Sequence, residues 1–276
     1  MKFIFVTDIH GNVRALRDLF SFAEELCVDA VVFGGDILSG PVSVNTFTSQ
    51  NREFINSVLR PVLEDFRSRN RAEIYLMLGN DDASGCAGDL QALERDGLSK
   101  YMHMRVHDFG EFFIYGYSFI PLTHFGIKDW EKFDTPEQEP PGTVSPPFFT
   151  QEGGSRPVDI NRDIRPRGTI EEDFMKIFSE TTPSKTIYVT HTPPYNTALD
   201  IIYSGKHVGS RAIRKFIDEA RPPLTLHGHI HESPSRSGKI FDKLGNTISI
   251  NPGDSKGKLN AVFIDMGDVV GKLKKL

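Results

Sequence analysis

Lys2-Phe3-Ile4-Phe5-Val6-Thr7-Asp8-Ile9-His10-Gly11-Asn12 is the stretch on which the fold turns. A short β-type apolar run ends at an acid, and a histidine and a glycine follow at once. Side chains two apart on an extended segment point the same way, so Asp8 and His10 can reach one centre. Gly11 allows a sharp turn. Residues 13–26 then carry Leu16, Leu19, Phe20, Ala23 and Leu26 at helical spacing. Residues 29–34 read as a second buried strand and run into Gly34-Gly35-Asp36. Strand, helix and strand in this order predict a βαβ unit.

The pattern repeats. A helix is expected around residues 54–67 and a strand at 73–78, followed by Gly79-Asn80-Asp81. Such units build a largely parallel sheet, whose functional groups collect at the carboxyl ends of the strands. Residues 104–120 are strand-like, with 111–115 the clearest run. Residues 121–168 are rich in proline and glycine and read as a long loop inserted over or near the site. A helix at 169–178 and the strand Thr186–Thr190 lead to His191. A helix at 210–219 and a strand at 224–227 lead to Gly228-His229-Ile230-His231. The tail, at 239–242, 247–250 and 260–265, reads as antiparallel strands. The layout implies two packed sheets with helices outside.

Five strand ends thus carry Asp8 and His10, Asp36, Asn80, His191, and His229 with His231. Each piece alone is weak, since a lone histidine or a Gly-Asp turn is ordinary. Together they offer two Asp, one Asn and four His. That exceeds one tetrahedral zinc and suits two ions sharing a carboxylate. Mixed imidazole and carboxylate donors favour Mn, Fe or Zn, and no thiolates point to a structural zinc site.

Composition narrows the function classes. The chain has 276 residues and a formal charge of −5, with 38% apolar and 25% charged residues. These values fit a globular α/β protein and argue against nucleic acid as a partner bound through a broad basic face. The N-terminal apolar run is too short for a signal peptide, and no stretch approaches the ~20 apolar residues of a membrane span. A cytoplasmic setting is expected. Cys27 and Cys86 form no disulfide framework. Cys27 is expected in the core, and Cys86 as a small packing residue.

The ordered set Asp8-x-His10, Gly35-Asp36, Gly79-Asn80, His191 and Gly228-His229-x-His231 resembles the calcineurin-like metallophosphoesterase superfamily. His191-Thr192-Pro193-Pro194-Tyr195-Asn196 and Asn251-Pro252-Gly253 resemble a prokaryotic branch of it. The resemblance implies a four-layer α/β/β/α sandwich of two mixed sheets flanked by helices. It implies one metallophosphoesterase domain over residues 1–276, with the insertion at about 121–168. It also implies a two-metal centre: Asp8, His10, Asp36 and His231 on one ion, and Asp36, Asn80, His191 and His229 on the other. The activity implied is hydrolysis of a small phosphoester or nucleotide-type substrate by hydroxide activated between two metals, in line at phosphorus.

In much of the superfamily a histidine follows the third-motif Asn; here Asp81 stands there. An anion beside a phosphate tolerates a diester better than a monoester, so a phosphodiester is favoured. Asp81 and His207 are the candidate catalytic side chains, with an exposed loop position the alternative for His207. His227 reads as a core histidine. Arg156, Arg162, Arg165 and Arg167 read either as a phosphate clamp or as a solvated loop. Two rival readings are a protein-binding module that has lost catalysis on this fold, and a nuclease of the same superfamily. The full ligand set weighs against the first, the charge against the second. Homo-oligomer formation is left open by the sequence.

Overall fold

The computed structural model describes residues 1–38, 40, 43–253 and 257–276. Strand β1 (Lys2–Val6) is followed by helix α1 (Val13–Glu25) and strand β2 (Ala30–Phe33), as the opening stretch predicts. Asn12 caps α1: its Oδ1 accepts from the Ala15 N–H at 3.0 Å. The helix therefore starts at the turn that carries Asp8 and His10. Helices α2 (Phe47–Phe54) and α3 (Arg60–Arg69) replace the single helix expected at 54–67, joined by a π-helical segment at Ile55–Leu59. Strands β3 (Glu73–Leu76) and β4 (Lys100–Tyr101), separated by helix α4 (Ala87–Arg95), extend the parallel set.

Strands β5 (Val106–Phe109) and β6 (Phe112–Tyr117) form a hairpin that opens the second sheet. The segment read as a loop at 121–168 is organised. Strand β7 (Ile120–Pro121) pairs with β8 (Glu131–Lys132), and β9 (Phe148–Gln151) with β10 (Gly154–Pro157). Leu122, Phe133, Phe149, Val158 and Ile164 make a small core of their own. Helix α5 (Ile170–Glu180) starts at a capping box in which Thr169 and Glu172 satisfy each other's backbone. Strand β11 (Thr186–Thr190), helix α6 (Arg211–Ala220), strand β12 (Leu224–Leu226) and the short helix α7 (Ser233–Ser237) follow. Strands β13 (Phe241–Leu244), β14 (Thr247–Ile250), β15 (Ala261–Asp265) and β16 (Lys274–Lys275) close the chain.

The two six-stranded sheets run β16-β15-β1-β2-β3-β4 and β13-β14-β12-β11-β6-β5. The tail is antiparallel where β15 meets β1 and β13 meets β14, but β14 lies parallel to β12. The period of two along each strand builds the layers. Phe3 and Phe5 share the inter-sheet core with Ile187, Val189, Leu224 and Leu226, while Ile4 and Val6 face α1 and its neighbours. On the second sheet Tyr115, Tyr117 and Tyr188 turn outward to α5 and α6. The result is the four-layer α/β/β/α sandwich.

Two details correct or extend the sequence reading. Cys27 is exposed, because the chain leaves α1 with a left-handed residue there (φ 48°). His103 sits against Trp130, with ring centroids 4.9 Å apart, and its Nδ1 accepts from the Ser118 N–H at 3.0 Å. Burial, with the nearby Lys132 and Arg105, pushes this imidazole down to about 3. An unfolded histidine titrates near 6.5, so the unfolded chain alone gains this proton between pH 6.5 and about 3. Stability is therefore full above that window and falls as pH drops through it. His103→Asn keeps an acceptor for Ser118 and removes the titration. The gap in unfolding free energy between wild type and variant is expected to shift by up to ~1.4 kcal/mol per pH unit below 6.5. Urea unfolding at pH 7.5, 5.5 and 4.5 measures it, and a constant gap would refute the assignment.

Candidate metal centre

Each sequence-predicted donor sits at the carboxyl end of a strand. Asp8 and His10 follow β1, Asp36 follows β2, Asn80 follows β3, His191 follows β11, and His229 and His231 follow β12. The two sheets bring these ends face to face. Asp8, His10, Asp36 and His231 offer ligand atoms that all lie within 4.8 Å of one another. His231 Nε2 is 3.1 Å from Asp8 Oδ1 and 3.2 Å from His10 Nε2. His191 Nε2 lies 2.9 Å from Asn80 Oδ1 and 3.2 Å from Asp36 Oδ2, so Asp36 adjoins both groups. His229 comes in beside them, its ring 5.5 Å from that of His191 and its N–H donating to Asp8 at 3.2 Å.

The backbone is held in an uncommon shape to achieve this. Asp8, His10, Asp36 and His229 all have left-handed φ values, 55°, 48°, 50° and 63°. Non-glycine residues rarely adopt them, and such outliers cluster at functional sites. Cross-loop bonds enforce them: Asp8 N donates to Gly35 O at 3.1 Å and His10 N to Asp36 O at 2.9 Å. Gly79 and Gly228 are required by proximity, since a Cβ at the first would strike Asp36 and at the second Thr7 and Asp8. Asn251 Nδ2 donates to Gly228 O and Ile230 O at 3.3 and 3.2 Å, pinning the loop of His229 and His231.

The donor chemistry fits a cation. His191 Nδ1 lies 2.8 Å from the Gly34 carbonyl, which fixes the proton on Nδ1. In the neutral ring Nε2 is then a bare lone pair aimed at two more acceptors, Asn80 Oδ1 and Asp36 Oδ2. Such a face is stable only with positive charge in it. Without a metal the ring supplies it: burial pulls the imidazole down, but Asp36, Asp8 and the Gly34 carbonyl outweigh burial and lift it to about 10. Burial would likewise raise Asp8 and Asp36, yet the surrounding histidines hold both below the usual carboxylate range. Burial and His191 push His229 down to about 3, leaving a neutral donor.

Asp81 adjoins the cluster. Its Oδ1 accepts from Asn80 Nδ2 at 2.9 Å and its N–H donates to Asp36 Oδ1 at 2.7 Å. Burial and the Asp36 charge raise it to about 6. His207 Nδ1 lies 2.6 Å from the buried Asp200 carboxylate. His227 is a core histidine between Thr190 and Thr225, as expected. Cys86 is buried, and burial pushes its thiol up to about 12. The four arginines are engaged within the insertion: Arg156 and Arg162 pair with Asp163, and Arg165 and Arg167 lie over Phe133 and Phe149.

Sequence reasoning missed Asp82. Its buried carboxylate accepts from the N–H groups of Ile37, Leu38 and Gly79 at 3.1, 2.8 and 2.9 Å, tying the Asp36 loop to the Asn80 loop. An acid directly before the apolar Ala83 and beyond the ligand motif was the available signal.

Known proteins share this architecture. The chain aligns over its full length with 97% of the protein TT1561 of Thermus thermophilus, at a TM-score of 0.61 and 15% identity. It aligns over 95% of its length with 91% of a dimetal phosphatase from Danio rerio, at a TM-score of 0.55 and 11% identity. At these identities the likeness is one of fold. In sequence it is 39% identical over 109 residues to the uncharacterized protein MJ1162 of Methanocaldococcus jannaschii. That stretch is 38% of this chain and 47% of MJ1162, about half the length of that relative. The description of one family matches residues 1–233, which contain every donor described above, and the chain belongs to that family, the calcineurin-like phosphoesterases.

Proposed function

We propose that the protein is a metal-dependent phosphoester hydrolase that uses two divalent ions and prefers diesters to monoesters. We read it as one domain over residues 1–276, acting on a small phosphoester or nucleotide-type substrate in a cytoplasmic setting. Among the described residues no helix is long and apolar enough to cross a membrane. The observation that carries the proposal is the lone-pair face of His191, Asn80 and Asp36 adjoining the Asp8, His10 and His231 cluster. On this reading Asp8, His10, Asp36 and His231 hold one ion, and Asp36, Asn80, His191 and His229 the other. Bound there, Mn, Fe or Zn ions would neutralise the phosphoryl oxygens and acidify a water.

The chain's own residues orient the donors and tune charge. Gly34 O fixes the His191 tautomer, Asp82 fixes two donor loops, and Asp81 adds a carboxylate where a donor of protons is absent. A carboxylate at Asp81 repels a doubly charged monoester more than a diester. Asp81→Asn is therefore expected to raise the monoester-to-diester ratio of kcat/KM by about tenfold. The comparison uses one leaving group in both esters, and an unchanged ratio would turn Asp81 away from the phosphate.

The test of the function is metal-stripped protein assayed on a panel of diesters, monoesters and nucleotides, with Mn²⁺, Zn²⁺, Fe²⁺ and Mg²⁺ restored separately. Turnover restored by an ion, fastest on diesters, is the expected result. Tight ion binding with no turnover on any ester would replace this reading with the protein-binding module.

A further inference from the structure

A cavity of about 400 Å³ has His229 in its wall, together with Leu122 and Phe125 of the insertion and with Ile202, Val208 and Ile230. We infer that this cavity receives an uncharged, planar ring on the substrate, so that the enzyme selects phosphoesters carrying an aryl or nucleobase group. The inference rests on the phosphoesterase reading above and adds the substrate class to it.

Continuity comes first. His229 is a donor of the candidate centre, so a group in this cavity is covalently close to a phosphoryl held there. Size agrees: a dry cavity of ~150 Å³ lined by Leu, Ile and Phe already holds a benzene ring. The volume at hand takes a ring and the atoms linking it to phosphorus. The walls offer aromatic surface, the His124 and Phe125 rings lying at 45° to each other with centroids 4.4 Å apart. Phe125 and Val208 are exposed apolar side chains at 45% and 38%, and a ligand ring would cover them. Glu232, also in the lining, disfavours a second anion.

The walls are built to stay in place. Trp130 Nε1 donates to Asp82 O at 2.9 Å, and Ser84 N donates to Asp129 Oδ2 at 2.8 Å. Both bonds pin the insertion to the loop that carries Asn80. Within the insertion, the buried Lys128 ammonium donates to Thr123 O and Glu131 Oε2 at 2.9 and 2.7 Å, closing the turn that presents His124 and Phe125. A pre-organised wall of this kind selects by shape at small entropic cost.

The test measures dissociation constants of methyl-, hexyl- and phenylphosphonate for Mn²⁺-loaded protein, with hydrolysis of bis(p-nitrophenyl) phosphate followed separately. Phenylphosphonate is expected to bind at least about tenfold tighter than methylphosphonate, from the apolar area buried, and tighter than hexylphosphonate, whose flexible chain loses rotamer freedom that a rigid ring does not. Phe125→Ala and Val208→Asp should each shrink the phenyl-to-methyl ratio at least threefold, on the order of one lost apolar contact surface. UMP and AMP separate the sources: binding tighter than phenylphosphonate supports the ring inference with a nucleobase, and weaker binding supports it with an aryl group. Equal binding of phenyl and methyl probes, a hexyl preference, or ratios untouched by both variants would overturn it. Ring preference without diester hydrolysis would leave the cavity assigned and remove the reaction, whereas hydrolysis without ring preference does the reverse.

Discussion

Asp36→Ala is expected to lose bound metal and to lower kcat/KM by at least about 10²-fold. Removing a group that merely orients a metal ligand already costs ~10–100-fold, and Asp36 faces both sets of donors directly. Its Oδ2 meets His191 Nε2 at 3.2 Å, and its carboxylate belongs to the cluster with Asp8, His10 and His231. The same carboxylate accepts the Asp81 N–H, so Asp36→Asn serves as the control that keeps a hydrogen-bond acceptor while removing charge. Elemental analysis after dialysis, paired with kinetics, checks both. Two ions retained at full occupancy in Asp36→Ala would reject the bridging role.

Asp82→Ala is expected to cost stability, by about 3 kcal/mol or more. The substitution strands three buried N–H groups, those of Ile37, Leu38 and Gly79, and each lost partner costs ~1–3 kcal/mol. Asp82→Asn keeps one accepting oxygen and should lose roughly half as much. Burial and the Asp36 charge raise the Asp82 carboxyl to about 7 in the absence of ions. Its protonated form is thus favoured by folding between the ordinary carboxylate value and 7, and this contribution to stability declines as pH rises through that window. Urea unfolding of wild type and both variants reads the effect. Two variants within ~1 kcal/mol of wild type would mean that the loops hold without the carboxylate.

The layers were legible because they follow from strand periodicity, whereas the left-handed turns that hold Asp8, His10, Asp36 and His229 carry no period of two. Phe3 and Phe5 against Ile4 and Val6 separate the inner face from the outer, and the candidate donors lie in the short turns just beyond the carboxyl ends of β1, β2, β3, β11 and β12. What stayed hidden depends on tertiary pairing. The insertion reads as a loop because of its prolines and glycines, yet Phe148–Gln151 finds a partner in Gly154–Pro157 and a core around Phe133. The direction of β14 is set by its neighbour β12, which no local pattern announces. Cys27 fits the apolar helical spacing, but the helix ends before it. Asp82 looked like one more acid, since its partners are backbone groups 44 and 45 residues away as well as nearby.

The left-handed residues of the centre carry one more consequence. Strain of ~1–3 kcal/mol at each of Asp8, His10, Asp36 and His229 would be relieved by glycine, which also deletes the donor. A mutational screen scored on melting or solubility would enrich glycine at His10 and His229, though not at Asp8 and Asp36, whose carboxylates accept from the His229 and Asp81 N–H groups, while a screen scored on turnover would discard it. The two scores would therefore rank the same library in opposite orders at His10 and His229 and agree across the sheet interior.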